Sequence, residues 1–207
     1  MITNSRCRNV AFGVPNEILF IDFRYMVYWG ERVGSWIEEI VARYYQKLGF
    51  FVIMDYKFFI PREVSGKKVG GWSDIDVLAY NGEELHIVQC KPFLGRSKAE
   101  REVKNILSWF EIAVNHVEGD PKIGELVKHN KIVKRVVIQF PQPKKAIEML
   151  RSQGIEVIPL KEVIKELINL IKKEVEEYRR EGRGRIGKED DVLLAFIREL
   201  ILSKIIK

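Results

Sequence analysis

The chain has 207 residues, 46% of them hydrophobic and 31% charged, and a formal net charge of +6. This is enough apolar material for one good core, which excludes a disordered chain, and the positive balance suits a polyanionic partner. Cys7 and Cys90 lie far apart without metal-site spacing, which excludes a disulfide framework and a zinc site and fits a reducing cytoplasm.

Met1 to Val10 is polar, with Arg6 and Arg8, and has no signal-peptide core. The longest apolar stretch, Val192 to Ile206, is interrupted by Arg198, Glu199 and Lys204 and falls short of the about 20 residues that span a bilayer. The expectation is a soluble cytoplasmic protein that does not enter the membrane. Glu17 to Trp29, rich in Ile, Phe, Tyr and Val, predicts one or two strands in an N-terminal extension over residues 1–33. From Ser35 the period changes: Trp36, Ile37, Ile40, Val41, Tyr44, Tyr45 and Leu48 recur at helical spacing, with Ser35 and Glu38 placed as a capping box and Gly49 as the stop.

Phe50 to Ile60 reads as a strand, followed by a loop containing Pro61, Gly66, Gly70 and Gly71. Ser73 to Tyr80 and Glu83 to Lys91 then form a hairpin around Asn81-Gly82, the strongest short hairpin signal. With only those two residues in the turn, Asp74 lies opposite Gln89 and Asp76 one diagonal step away. Alternation gathers Asp74, Asp76, Gln89 and Lys91 on one face and turns Ile75, Val77, Val88 and Cys90 to the other; a four-residue turn keeps these faces. Asp is a poor strand former, so two of them in one apolar strand mark a place where function overrides folding. Two carboxylates, an amide oxygen and a lysine suit a hard divalent cation and a phosphate. His86 reads as a structural or exposed residue, and Cys90 as a small buried hydrophobe pointing away from the site.

Lys98 to Val117 predicts a helix, Val133 to Phe140 a strand, Lys144 to Gln153 a helix ended by Gly154, and Ile155 to Leu160 a strand. Strands alternating with helices indicate an α/β sheet with covered faces. Beyond Leu160 the pattern is helical, broken at Gly182 to Gly187, with an apolar last helix starting near Asp190 or Asp191 that packs on the body or on a second subunit.

In order, the helix Trp36-Ile37-Glu38-Glu39-Ile40-Val41-Ala42, its end at Leu48-Gly49-Phe50, the strand Ser73-Asp74-Ile75-Asp76, Gln89-Cys90-Lys91 and the strand Gly154 to Ile158 resemble the PD-(D/E)XK nuclease superfamily. The nearest types are the Mrr-type restriction endonucleases, which often have Gln in the third acidic position, and the archaeal Holliday-junction resolvases. The resemblance spans about Gly34 to Leu170. It implies a restriction-endonuclease-like mixed β-sheet flanked by helices over residues 34–170, with a C-terminal helical extension over 171–207. It also implies a magnesium-dependent deoxyribonuclease, with manganese as substitute. Glu38, or alternatively Glu39, matches the helix glutamate, Asp76 the obligatory aspartate, Gln89 the third ligand position and Lys91 the lysine. Asp74 falls where relatives carry a further acid, and the Cys90 backbone carbonyl completes the implied metal ligands. Gln89, neutral where most relatives have Glu, is the departure. It motivates the alternative of a DNA-binding or assembly protein whose activity has decayed.

For DNA the candidates are Arg62, Lys67, Lys68 and Trp72 before the site and Arg96, Lys98, Arg101 and Lys104 after it. Arg179, Arg180, Arg183 and Arg185 form a third basic cluster. Without a helix-turn-helix or zinc-finger signature, shape or end recognition is expected, as in repair, recombination or junction resolution. Terminal helices that form a homodimer would hold two sites at a fixed distance.

Overall fold

The computed structural model describes residues 36–62, 70–92, 99–128, 130–140 and 143–181, together with 194, 195, 197 and 198. The chain divides into two compact units, Met1–Arg32 and Val33–Lys207, and the described residues all belong to the second. The strands expected between Glu17 and Trp29, the Ser35 cap, Lys67, Lys68, Arg96, Lys98, Arg183, Arg185 and the start of the last helix lie outside the described residues.

Helix α1 (Trp36–Lys47) buries Ile37, Val41, Tyr44 and Tyr45 of the expected stripe, with Ala42 beside them, while Trp36 and Leu48 at the two ends of that stripe are exposed. Glu38 and Glu39 in its first turn and Lys47 in its last complement the helix dipole. It stops in a Schellman turn: Gly49, at φ 85°, donates to the Gln46 carbonyl and Phe50 to that of Tyr45. The chain then reverses into β1 (Phe51–Ile60), followed by β2 (Gly71–Tyr80), β3 (Glu84–Lys91), α2 (Ala99–Gly119), the short α3 (Gly124–Val127), β4 (Lys131–Ile138), α4 (Lys144–Ser152), β5 (Ile155–Pro159) and α5 (Leu160–Arg180). The result is an α/β fold with a five-stranded mixed sheet in the order β1-β2-β3-β4-β5. The β1–β2 and β2–β3 pairs are antiparallel, and the β3–β4 and β4–β5 pairs are parallel. Helices α2 and α4 cover one face, around Ile87, Val136, Ile106, Phe110 and Leu150, and α1 and α5 cover the other, around Val88, Val137, Val41, Leu167 and Ile171. A single α5 runs through positions 170 and 171, so the expected extension begins inside a helix whose Ile171 and Val175 belong to the core. Leu194 packs into the same core, and Arg198 reaches Glu174 on α5. Among the described residues, no helix is long and apolar enough to cross a membrane.

The hairpin register differs from the expected one. Tyr80 pairs with Leu85 and Val77 with Val88, a shift of two residues that follows from a four-residue connection. Asn81 heads the turn instead of occupying its centre: its Oδ1 accepts from the Glu83 and Glu84 amides, and Gly82 takes the left-handed φ of 100°. An even shift keeps each side chain on its face.

A second departure alters the faces themselves. Strands β1 and β2 pair from Phe51↔Tyr80 to Ile60↔Gly71, with Asp55 and Asp76 left out of the ladder and Asp55 at φ 52°. On one side of that break Val52, Met54, Val77 and Ala79 pack towards α1 and α5; on the other Tyr56, Phe58 and Ile75 pack towards α2. Ile75 is therefore not on the face of Val77, as strict alternation predicts, and Asp74, between Ser73 and Ile75 on the α2 side, does not share the face of Gln89 and Lys91 as expected, because the left-handed residue turns the ribbon over.

The α1 side also buries a polar chain that no motif announces. Arg135 on β4 donates to the Tyr45 hydroxyl at 2.6 Å and, through Nε, to Glu156 at 2.9 Å. Because a guanidinium only donates, the Tyr45 proton goes to His86 Nδ1 (2.9 Å), and His86 Nε2–H donates to Glu84 (3.0 Å). Burial holds the His86 pKa below its ordinary value, against the pull of Glu84, so the ring is a neutral strut. Tyr45→Phe removes one hydrogen bond each from Arg135 and His86 and is expected to cost about 1–3 kcal/mol in urea unfolding; a change within error of zero would show the chain to be idle.

Candidate active site

Strands β2 and β3 part company at Val77 and Val88. Beyond that pair β2 continues along β1 to Gly71, while β3 stays with β4 as far as Lys91↔Ile138. In a continued ladder the Cys90 amide would find the Ile75 carbonyl. It donates instead to Asp76 Oδ2, at 2.5 Å. A strand residue's N–H and C=O project towards the same neighbour, so the Cys90 carbonyl faces this fork as well.

Asp76 is half-buried, and its pKa is pushed up to about 7. Burial is the main cause; the Cys90 amide opposes it, the Glu38 and Asp74 carboxylates raise it further, and the Lys91 ammonium lowers it. Four residues separated in sequence therefore share one electrostatic site: Glu38 from α1, Asp74 and Asp76 from β2, and Lys91 from β3. Between the two candidate helix acids Glu38 is the one whose carboxylate acts on Asp76, while Glu39 pairs with Arg43 at 2.5 Å one turn along α1.

Gln89 is buried, 9% exposed, and its Oε1 has no hydrogen-bond partner. It alternates with Leu85 and Ile87 and neighbours Val136, all on the α2 side, and Lys91 follows on that same side of β3. Asp76, at the residue where its ribbon changes faces, feels Lys91 from that side and Glu38 from the α1 side. Cys90 points, as expected, to the opposite face of β3 from Gln89 and Lys91, yet it still lies in the field of Asp76 and Glu38. Its half-buried thiol packs with the α1 cluster and is pushed well up by burial and then by Asp76 and Glu38. It is a protonated, inert thiol whose amide positions the central carboxylate.

Among the described residues no three His, Cys, Asp or Glu side chains are grouped to hold a metal ion. Glu38, Asp74 and Asp76 share a field without forming a coordination sphere. The donor types nevertheless fit a hard divalent cation. Crowded acids around a half-buried Asp76 and an orphaned amide oxygen on Gln89 are both conditions that a cation relieves.

Of the expected nucleic-acid contacts, Trp72 is 75% exposed, Arg62 is exposed at the end of β1, and Arg101 and Lys104 are exposed on α2. Arg179 and Arg180 are remote. Leu160 starts α5 at the fork end of the sheet, and 21 residues at 1.5 Å each carry the last turn about 30 Å away. Sequence reasoning missed Phe59, which pairs with Trp72 across the ribbon; the β1–β2 register, invisible until the strands are aligned, is the signal that finds it. No family model, curated protein or solved structure matches the chain.

Proposed function

We propose that the chain is a divalent-cation-dependent DNA endonuclease with a restriction-endonuclease-like, PD-(D/E)XK fold, acting on DNA structure in repair, recombination or junction resolution. The observation that carries this reading is the fork: Asp76 sits where two strands separate, with Glu38 and Lys91 in its field and the Cys90 amide fixing its carboxylate. Glu38, Asp76, Gln89 Oε1 and the Cys90 carbonyl would hold magnesium or manganese, with Asp74 beside them. A bound dication supplies an acidified water and neutralises charge on the phosphate. Lys91 orients the attacking water or steadies the oxyanion that grows as the phosphorus–oxygen bond breaks. Asp76, locked on one oxygen by Cys90, keeps its other oxygen available. Gln89 offers an oxygen donor with no charge, which leaves the centre less negative than a third carboxylate would.

The protein is expected to cleave at least one of supercoiled, branched and single-stranded DNA in magnesium or manganese, and Asp76→Ala to lose that cleavage by more than about a thousandfold. A wild type that cleaves none of them, or an Asp76→Ala that cleaves equally, rejects the proposal. The second reading, a decayed nuclease that only binds DNA or organises an assembly, is favoured by the neutral Gln89 and the ungrouped carboxylates. It requires DNA affinity in calorimetry that is unaltered by magnesium. A homodimer and a cytoplasmic setting belong to the same proposal. Because α5 is part of the core, light scattering on the full chain is the measure of assembly, and a monomer mass excludes the dimer.

A further inference from the structure

Four large aromatic side chains stand exposed among the described residues: Trp36 (54%), Phe59 (47%), Trp72 (75%) and Phe140 (54%). Topology puts all four at one end of the sheet. Phe51 pairs with Tyr80 at the hairpin end, so Phe59 and Trp72, further along the same ladder, lie at the fork end. Helix α1 runs back against β1, which brings Trp36 to that end, two residues from Glu38. The Phe140 amide donates to the Pro92 carbonyl, next to Lys91. The large exposed aliphatic side chain, Leu48, lies at the opposite end. Scattered apolar side chains need no explanation, whereas an aromatic set confined to the end of the sheet that carries Asp76 does.

The β1–β2 ribbon shows how the central pair is presented. Its α2 side is covered, with Phe58 against Trp109 and the Trp109 indole donating to Ser73 Oγ at 3.1 Å. On the opposite side Lys57, Phe59 and Trp72 are exposed. The Phe59 and Trp72 rings meet edge to face at 5.7 Å, a contact that steadies the indole yet leaves it in solvent. Trp72 precedes Asp76 by four residues of strand, about 13 Å, or about four nucleotides at the rise of a stacked strand.

Resting on the nuclease reading, we propose that Trp72 and Phe59 form a stacking platform for unpaired bases, so that the substrate enters as a single strand beside the scissile phosphate, at a flap, a gap or a branch. In an intact duplex the base faces are already stacked on one another, and an aromatic platform has nothing to receive. In a single strand every base offers a π-face, whatever its sequence. Lys57 next to the pair and Lys91 at the fork supply cations for the backbone, in a chain of net charge +6. A protein partner would also cover aromatic rings. The run from the rings to Asp76 along one strand favours the nucleic acid.

The test uses the full chain carrying Asp76→Asn, so that binding is read without cleavage, with a fluorescent oligothymidine and a blunt duplex of equal length in anisotropy titrations. Trp72→Ala is expected to weaken single-strand binding by about 5- to 100-fold and duplex binding by less than about twofold, and Trp72→Phe to keep most of the affinity. Unchanged single-strand affinity in Trp72→Ala and in Phe59→Ala, an equal loss on both DNAs, or no binding to either DNA overturns the platform. Strand-selective binding that depends on Trp72 upholds it even if the wild type hydrolyses nothing, in which case the nuclease reading fails by itself. Cleavage that depends on Asp76, with the same strand preference in the Trp72 variants as in the wild type, leaves the nuclease and removes the platform.

Discussion

Asp76→Asn is expected to stabilise the metal-free protein at pH 8 while abolishing the proposed cleavage of DNA. At that pH the carboxylate is ionised in both states, but in the folded state it is half-buried beside Glu38 and Asp74. A rise from 3.8 to about 7 corresponds to roughly 4 kcal/mol at most, so a gain of about 2–4 kcal/mol is expected. Asparagine is nearly isosteric and still accepts from the Cys90 amide. The sign with pH follows from linkage: a folded pKa above the unfolded one means that the native state takes up the proton more readily. The wild type therefore meets no penalty from this group below pH 3.8, loses stability as the pH climbs, and bears the whole cost above about 7. The advantage of the variant is largest at pH 8 and closes towards pH 4. Taking the difference between the two proteins removes the opposite trend from His86, whose lowered pKa costs stability as the pH falls below its ordinary 6.5. Magnesium should raise the wild-type midpoint, by about 2.7 kcal/mol at a hundred times its dissociation constant, and leave the variant unmoved. Urea titrations from pH 4 to 8, with and without magnesium, measure all of this. A variant less stable than the wild type at pH 8 would mean that Asp76 serves the fold and not a site.

On the proposed nuclease activity, Lys91→Ala is expected to lower the turnover number by about 10²–10³-fold, since it would remove a cationic group serving charge that develops in the transition state. DNA affinity should change by less than about threefold, as one phosphate contact among several is lost. A second readout separates this role from a merely structural one. Lys91 holds the Asp76 pKa down, so its removal lets that pKa climb. The rise of cleavage with pH, which needs the ionised carboxylate, then moves to higher pH in the variant. Loss of affinity with unchanged turnover would reassign Lys91 to binding. An unshifted pH profile would separate it from Asp76.

The elements were legible because their signals are short-range. The stripe from Ile37 to Tyr45 and the stop at Gly49 lie within one segment, as do the apolar runs of β3 and β4, and each is a matter of neighbours along the chain. The short α3 was not legible, having only four residues and no amphipathic period. Turn chemistry misled in one respect. Asn81-Gly82 marks a turn correctly, but whether Asn81 occupies its centre or heads it depends on its side chain accepting the Glu83 and Glu84 amides. The polar positions of the candidate site were legible as residues, and their arrangement was not. Glu38 and Glu39 are equivalent in sequence, and only the fold shows that Glu38 acts on Asp76 while Glu39 pairs with Arg43. Cys90 looked like a core residue, and its part at the site resides in a backbone amide that has no sequence signature.

By itself the sequence determined which segments become helix or strand, which side chains are apolar enough for the core, and that Asp74, Asp76, Gln89 and Lys91 sit at oddly polar places in strands. Tertiary structure decided where β2 and β3 separate, that the ribbon turns over at Asp55 and Asp76, that Tyr45, His86 and Arg135 meet, and that four aromatics gather at the fork. The physical reason is range. Periodicity and propensity act over a few residues, whereas register, the end of a ladder and the burial of a charge depend on groups far apart in the chain, whose positions the whole fold fixes together.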